Sequence, residues 1–476
     1  MFEGRAGCFK LLVFAVLLQY NSFMKRLPSL QQLSPNWILI LYYGAAILFG
    51  AVLLSLPLSS TVERLPFLDA LFTATSAQCV TGLIVVETGS RLTLFGQWVV
   101  LLLIQIGGLG ITTFSVYLFL YLRRGLSLQG RLLIQETLVH TPFASLKQLL
   151  RNIFLFTLVV EIGGALLLAI RFVPREGLSQ GLYSALFHSV SAFCNAGFSL
   201  YGDSLTGYRD DLLVNLTTMS LITLGGIGFL VMHELRELWR SRERRRLSLH
   251  SRLVLLSSLV LTLGGALLIW LLEADASLQS MPFGTGLLTA LFQSVTCRTA
   301  GFNSIDLNAF EVPTLFLMMV LMFIGASPGS SGGGIKTTSL ALFVAILLSR
   351  LRGFSHTNVF RRTIPEEQVT RVLTLVMLAI LVCGSAMFVL MSVELHGLPF
   401  SASRGALLDY TFEAVSAFAT VGLSLGVTAK LSAAGKLIII ALMFIGRVGL
   451  LTVAFAFIRR SRENQICYAE ERIMIG

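Results

Sequence analysis

Long uncharged stretches recur along the whole chain, and they restrict the fold more than any other feature of the sequence. Examples are WILILYYGAAILFGAVLLSLPL from Trp37 and LVLLSSLVLTLGGALLIWLL from Leu253. About 20 apolar residues form a helix that crosses the ~30 Å hydrocarbon layer of a bilayer. Of the 476 residues, 55% are hydrophobic and 13% are charged, whereas soluble domains are about one quarter charged. The sequence therefore predicts an all-α membrane protein and argues against an enzyme with a cytosolic substrate.

The positive charge is concentrated in a few segments. Most of the 36 Lys and Arg residues lie in 1–35, 121–151, 235–255, 350–371 and the tail from Arg459. Basic loops stay on the cytoplasmic side of a membrane, so we expect these five segments, including both termini, to be cytoplasmic. Membrane lipids with anionic headgroups then explain the net charge of +11, and no nucleic acid partner is expected. The six cysteines form no C-x-x-C pair and the histidines are scattered, so no metal site is predicted.

One pattern occurs four times between successive basic segments. A long apolar helix is followed by a segment too short to cross the membrane, then by a glycine turn, and then by a second long helix that returns. The short segments read LFTATSAQCVTGL, LFHSVSAFCNAGF, LFQSVTCRTAGF and TFEAVSAFATVGL, and the third is one residue shorter than the others between its Phe and its glycine. The turn glycines are Gly82, Gly197, Gly301 and Gly422. The returning helices carry IGGLG, LGGIG, FIGAS and FIGRVG.

These repeats define the predicted architecture. Each repeat contains two spans, so it begins and ends on the same side of the membrane, and the repeats are parallel. Four parallel units around one axis describe a central pore with eight transmembrane helices and four re-entrant helices. The predicted segments are a cytoplasmic N-terminal segment 1–35, repeats 1 to 4 at 36–124, 149–240, 250–350 and 368–458, and a cytoplasmic tail 459–476.

The glycine turns predict an ion selectivity filter. Irregular backbone within the membrane is stable only where it lines water or is buried in protein. Because glycine adopts backbone angles that other residues avoid, four such turns can direct carbonyl oxygens at one axis and replace the hydration shell of an alkali cation. A helix-ending glycine cap is the alternative, but four copies in register favour the filter. The predicted filter residues are Val80, Thr81, Gly82, Asn195, Ala196, Gly197, Thr299, Ala300, Gly301, Thr420, Val421 and Gly422.

The stretch IGASPGSSGGGIKTTS, residues 324–339, has the glycine spacing of a nucleotide-binding P-loop. A P-loop needs its lysine directly after the last glycine, and here Ile335 separates Gly334 from Lys336. A P-loop ATPase subunit is therefore disfavoured. The glycines and Pro328 make a continuous helix unfavourable, at about 1 kcal/mol for each glycine and about 3 for proline. We expect the third returning helix to break here into two halves joined by a loop that faces the pore.

The motifs SAQCVTGL, TCRTAGFNSID, FEAVSAFATVGLS and FIGRVG resemble the Trk/Ktr/HKT superfamily of potassium transporters, and within it the KtrB-type membrane subunits. The resemblance covers roughly residues 35 to 460. It implies potassium selectivity, because glycine occupies all four filter positions, including Gly82, where serine goes with sodium transport. It also implies a homodimer in the bacterial plasma (inner) membrane and a cytosolic KtrA-like nucleotide-binding regulatory ring. The transported ion is potassium, with sodium possible, and no cofactor is expected.

The resemblance also assigns a gate below the filter. Its residues are Gly329, Ser330, Ser331, Gly332, Gly333, Gly334, Lys336 and Arg447. A charge near the middle of a membrane helix costs ~2.5–3.5 kcal/mol or more without water or a partner. The resemblance makes Arg447 a cation barrier beside the loop, and the alternative is an ion pair with Glu161; both can hold, because a paired arginine still obstructs cations. A flexible kink without a gating role is the alternative for the loop. Arg298 and Glu413 are expected to support the filter turns. A sodium-preferring or sodium-coupled transporter is the alternative function.

Overall fold

The computed structural model of the protein describes residues 35–122, 146–240, 247–399, 401, 403 and 405–457. The predicted cytoplasmic tail 459–476 lies outside the described residues, and so does the predicted N-terminal segment except for its last residue, Pro35. Repeats 1 to 4 below denote the four predicted segments.

The chain divides into two units of dense internal contact. Of the described residues, those within 42–450 form the larger unit, and 35–41 with 451–457 form the smaller. In the smaller unit, the indole nitrogen of Trp37 donates a hydrogen bond to Ala456 O at 3.0 Å. All the candidate site residues belong to the larger unit.

Helices make up most of the described chain. Those of repeats 1 and 2 are α1 Pro35–Leu54, α2 Phe67–Gln78, α3 Thr88–Arg91, α4 Leu94–Leu122, α5 Leu146–Glu176, α6 Leu178–Phe193, α7 Leu212–Ile227 and α8 Phe229–Arg240. Those of repeats 3 and 4 are α9 Leu249–Glu273, α10 Phe283–Thr296, α11 Val312–Phe323, α12 Thr337–Leu351, α13 Glu366–Glu394, α14 Ala406–Ala419, α15 Ala433–Val448 and α16 Leu450–Phe457. Two strands, β1 Asn358–Val359 and β2 Arg362–Thr363, form an antiparallel hairpin between α12 and α13.

The first helix of each repeat is long and apolar enough to cross a membrane. These helices are α1, α5, α9 and α13, and the broken pairs α7–α8 and α15–α16 pass the same test if each counts as one span. The second helices α2, α6, α10 and α14 have 12, 16, 14 and 14 residues. At about 1.5 Å per residue none of them reaches ~30 Å. The prediction of an all-α membrane protein with re-entrant helices is confirmed.

The returning helices differ in where they break. In repeat 2 the chain bends by 100° between α7 and α8, at Gly228, whose φ is 98°. Repeat 4 breaks at Gly449, also with a φ of 98°. In repeat 3 the loop 324–336 separates α11 from α12, as the glycine-rich stretch predicts. The returning helix of repeat 1, α4, is continuous over 29 residues.

The short helices are held in a ring by the returning helices. Each returning helix contacts the short helix of the next repeat: α4 contacts α6, α7 contacts α10, α11 contacts α14, and α15 contacts α2. The last of these contacts closes the ring, with repeat 4 against repeat 1. One phenylalanine anchors each short helix and is completely buried, and these residues are Phe72, Phe187, Phe292 and Phe412.

Candidate functional site

The four glycine turns share one backbone conformation. In each, a residue with positive φ follows the short helix, and a glycine with positive φ comes two residues later. The first residues are Val80, Asn195, Thr299 and Thr420, with φ between 53° and 66°, and the glycines are Gly82, Gly197, Gly301 and Gly422, with φ between 70° and 98°. Residues with a side chain rarely adopt positive φ, so the surrounding structure must impose it. We call these four three-residue segments the turn ring.

The turn ring is a closed cycle. Each of its glycines faces a carbonyl oxygen of another repeat, too closely for a side chain: an added Cβ would lie 2.5 Å from the oxygen at Gly82, 2.8 Å at Gly197, and closer at the other two. The facing pairs are Gly82 with Ala196 O, Gly197 with Ala300 O, Gly301 with Val421 O, and Gly422 with Thr81 O. Each repeat faces the next, and repeat 4 faces repeat 1. The middle carbonyls of the four turns therefore lie around one axis, where only glycine fits.

The helix ends add a favourable field for a cation. Each short helix ends one to three positions before the first residue of its turn, at Gln78, Phe193, Thr296 and Ala419. The C-terminal end of a helix carries a partial negative charge. Since four such ends meet at the turn ring, the arrangement favours a cation over an anion there.

The missing residue of the third segment lies in the helix end and not in the turn. Val80 lies four positions after Ser76, whereas Thr299 lies three positions after Thr296. The middle turn residue still donates to the carbonyl of this Ser or Thr in both repeats, from Thr81 N at 2.8 Å and from Ala300 N at 3.0 Å. The turn conformation is therefore preserved, because the deletion is absorbed before it.

Four buried hydroxyls that bond to the ring segments were not predicted from the sequence. They belong to the residue four positions after each anchoring phenylalanine, namely Ser76, Ser191, Thr296 and Ser416, all 0% exposed. In repeats 1 and 4 the hydroxyl accepts from the turn glycine N–H, at 3.1 and 3.0 Å. In repeats 2 and 3 it donates to the carbonyl of the residue after the glycine, at 2.7 Å in both. Their common spacing from the phenylalanine was the available signal.

The loop 324–336 lies against one end of the turn ring, which we call the inner end. Two backbone bonds close the base of the loop, from Gly325 N to Ile335 O at 2.8 Å and from Thr337 N to Ala326 O at 3.3 Å. The tip reaches the ring itself: Gly333 N donates to Thr420 Oγ1 at 3.1 Å, and a Cβ on Gly332 would overlap Thr299 Oγ1. The inner end is thus formed by the positive-φ residues that precede each glycine. No P-loop context exists in the described chain here, because the loop joins two helices.

The loop is also bonded to repeat 2. Ser331 N donates to Gly225 O at 3.2 Å, and the Ser331 hydroxyl lies 3.0 Å from Gly225 O and 3.3 Å from Phe193 O. Ser327 N donates to Gly226 O at 3.1 Å. Glycine at 225 is required, because an added Cβ would overlap Phe193 O.

Arg447 connects the loop to repeat 1. Its guanidinium donates to Ser331 O in the loop and to Gly107 O in α4, and the side chain is 2% exposed. Lys336 donates from Nζ to Gly332 O at 2.7 Å. Both cations of the predicted gate therefore bond to carbonyl oxygens at the inner end of the ring.

The ion pair between Arg447 and Glu161, one of the two alternatives for this arginine, is not formed among the described residues. Glu161 instead accepts from Gln105 Nε2 at 3.3 Å, and Cys194 Sγ lies 3.9 Å from its other oxygen. The acceptors of Arg447 are backbone carbonyls, one in the loop that interrupts the third returning helix and one in the glycine-rich helix α4. A search for a partner of opposite charge does not consider backbone carbonyls.

The two predicted support residues bond to groups outside the turn ring. Arg298 donates to Ser258 Oγ at 2.9 Å and to Thr262 Oγ1 at 3.3 Å, both in α9. Glu413 is completely buried and accepts from the hydroxyls of Thr428 at 2.5 Å and Ser424 at 2.8 Å. Neither is bonded to a carbonyl of the turn ring.

The second glycine signature has a steric explanation that the sequence did not provide. A Cβ on Gly107, Gly225 or Gly446 would overlap the carbonyl four residues before the turn glycine of the same repeat, at Gln78, Phe193 and Phe418 respectively. These glycines let each returning helix approach the end of its own short helix. In repeat 3 the equivalent Gly325 instead approaches Gly333 of the loop.

The chain is similar to known cation transport proteins. The profile of the TrkH family, described as "Cation transport protein", matches residues 45–466. The chain is 40% identical over 445 residues to "Ktr system potassium uptake protein B" of Bacillus subtilis, covering 93% of this chain and 97% of the relative. It is 37% identical over 451 residues to "Potassium/sodium uptake protein NtpJ" of Enterococcus hirae, covering 94% and 98%.

A solved structure supports the fold. The crystal structure of the potassium transporter TrkH from Vibrio parahaemolyticus matches with a TM-score of 0.68 and 21% identity, covering 89% of this chain and 85% of that one. The predicted resemblance is thereby confirmed, and the expectation that the chain is not an enzyme agrees with the relatives. The chain belongs to the TrkH family of cation transport proteins.

Proposed function

We propose that this protein takes up potassium through a pore whose selectivity filter is the turn ring. The closed cycle of glycines and carbonyl oxygens carries the proposal. Such a ring offers main-chain oxygens in place of the water that a cation loses on entry. The names of the relatives, a potassium uptake protein and a potassium/sodium uptake protein, support potassium as the ion.

The loop 324–336 and Arg447 form the gate in this proposal. The loop contacts the inner end of the ring, and the guanidinium between Ser331 O and Gly107 O adds a positive charge beside the same end. A cation leaving the filter meets both a backbone obstruction and electrostatic repulsion. Uptake then requires the loop to move.

The assembly and location belong to the same proposal. The word "system" in the name of the Bacillus subtilis relative supports a partner subunit. We infer a homodimer in the bacterial plasma membrane, with both termini cytoplasmic and a KtrA-like nucleotide-binding ring on the basic cytoplasmic segments.

Potassium preference is tested by Gly82→Ser in a bacterium that lacks its own potassium uptake, expressed with a Ktr-type regulatory subunit. An added Cβ at Gly82 lies 2.5 Å from Ala196 O, so the serine displaces one carbonyl of the ring. We expect potassium uptake by the parent and a preference over sodium that falls at least about tenfold in the variant, since 1.4 kcal/mol of lost discrimination suffices. Initial rates of potassium and sodium uptake measure it.

The control is Gly177→Ser, because Gly177 also has positive φ, 84°, but no atom within 4 Å of an added Cβ. It should retain the preference of the parent. A parent that carries sodium as fast as potassium would show that the four glycines do not set selectivity, and a parent that carries sodium faster would establish the sodium-preferring alternative.

A further inference from the structure

A polar side chain occupies the same position in every short helix, directly after the anchoring phenylalanine. These residues are Thr73, His188, Gln293 and Glu413, and each is at most 2% exposed. A polar group buried within a membrane protein is stable only when it has a hydrogen-bond partner. The partners of these four side chains divide the repeats into two kinds.

In repeat 2, His188 bonds to the chain that leaves the ring. Nδ1 lies 2.7 Å from Ser184 O, and Nε2 lies 2.9 Å from the Ser199 hydroxyl. A carbonyl only accepts, so Nδ1 carries a proton, and Nε2 of the neutral imidazole then accepts from Ser199, two residues after Gly197. The imidazole stacks on Tyr201 with ring centroids 4.7 Å apart, which fixes the plane of the ring.

Repeats 3 and 4 contain the same connection with different chemistry. Gln293 Nε2 donates to the Ser304 hydroxyl at 3.4 Å, and Ser304 lies three residues after Gly301. Glu413 accepts from the Ser424 hydroxyl at 2.8 Å, and Ser424 lies two residues after Gly422. Imidazole, amide and carboxylate thus each hold a serine just beyond the turn glycine.

Repeat 1 lacks this connection. The Thr73 hydroxyl donates within its own helix, to Asp69 O at 2.8 Å. The residue two positions after Gly82 is Ile84, which has no side-chain group to bond.

We propose that His188 and Gln293, together with Glu413, are positioning residues that hold the outer end of the filter in repeats 2 to 4, and that repeat 1 has no such hold. The outer end is the end formed by the turn glycines and the residues after them. This inference rests on the proposed function, because it assigns these side chains the task of fixing the carbonyl ring. Ion discrimination therefore depends on three chemically different contacts behind the ring.

The test measures how sodium inhibits rubidium uptake in cells that express the full chain with its regulatory subunit and lack other potassium uptake. His188→Leu removes the bond to Ser199 and keeps an apolar body among the aromatic rings. We expect the discrimination against sodium to fall about threefold to tenfold, as for the loss of one neutral hydrogen bond. His188→Gln can accept from Ser199 through its amide oxygen, so it should restore most of the discrimination.

The matched control is Thr73→Val, at the same helix position in repeat 1, which should leave the discrimination unchanged. If His188→Leu retains the discrimination of the parent at parent-like protein levels, the proposal is wrong. If His188→Leu does not reach the membrane, Ser199→Ala removes the same bond from the other side, and unchanged discrimination in that variant also overturns the proposal. Should Gly82→Ser be equally without effect, the filter assignment itself fails, and not only the positioning role.

Discussion

Replacing Gly422 by alanine is expected to reduce potassium uptake at least about tenfold. The added Cβ would overlap Thr81 O and come within 2.9 Å of Gly82 Cα, and the φ of Gly422 is 93°. Left-handed backbone costs a residue with a side chain roughly 1–2 kcal/mol, and overpacking adds about 1–3 kcal/mol. The ring can relieve both only by opening at the contact between repeats 4 and 1. Initial rates of rubidium uptake, normalised to membrane protein, measure the loss.

Gly426→Ala is the matched control for this variant. Gly426 lies four residues further on and has a φ of 89°, yet no atom lies within 4 Å of an added Cβ. It experiences the same backbone strain of roughly 1–2 kcal/mol without the overlap, and it lies outside the turn ring. The strain therefore lowers stability and not passage through the ring, so uptake should stay within about threefold of the parent. Parent-like uptake by Gly422→Ala would show that the turn ring is not the narrow passage, and equal losses in both variants would show that strain alone matters.

Arg447→Gln is expected to raise the rate of uptake about tenfold or more. The parent guanidinium is 2% exposed and donates to Ser331 O and Gly107 O. Hydrogen bonds from a charged group are worth roughly 1.5–3 kcal/mol each, and both stabilise the loop against the inner end of the ring. Removing them, and the positive charge with them, favours the open state. Rubidium uptake should also depend less on the regulatory subunit than in the parent.

Arg298→Gln is the control for Arg447→Gln. It tests whether the loss of any buried arginine raises the rate of uptake. Arg298 is 8% exposed, but it bonds to Ser258 and Thr262 of α9 and not to the loop. This variant should not increase the rate. The gating role of Arg447 is refuted if Arg447→Gln leaves the rate unchanged, or if Arg298→Gln increases it equally.

Local repetition explains how much of the fold could be predicted. Residue types close together in the sequence predict the short helices, their glycine turns and the break in the third returning helix. The helix and turn pattern occurs four times, which strengthens the prediction. The one-residue deletion between Phe292 and Gly301 was visible in the sequence, but its position before the turn was not. The position of the deletion is shown by the hydrogen bond that is kept, from Ala300 N to Thr296 O.

The bonding of the site could not be predicted in the same way. A hydroxyl both donates and accepts, so the sequence does not reveal that Ser76 accepts from Gly82 N while Ser191 donates to Phe198 O. Pairing by charge suggested Glu161 as one partner of Arg447. The acceptors that Arg447 found are carbonyls in repeats 1 and 3, and these come together only through the ring.

The loop belongs to one repeat and the arginine to another. This division gives a reason for the four copies to share one polypeptide. Among the described residues, the returning helix of repeat 3 alone is interrupted by a long loop, and Arg447 belongs to repeat 4. An assembly of four identical subunits would place four loops and four guanidinium groups under one ring, where they would collide and repel. Fusion of the copies lets each diverge, so that the proposed symmetric filter can acquire the proposed asymmetric gate.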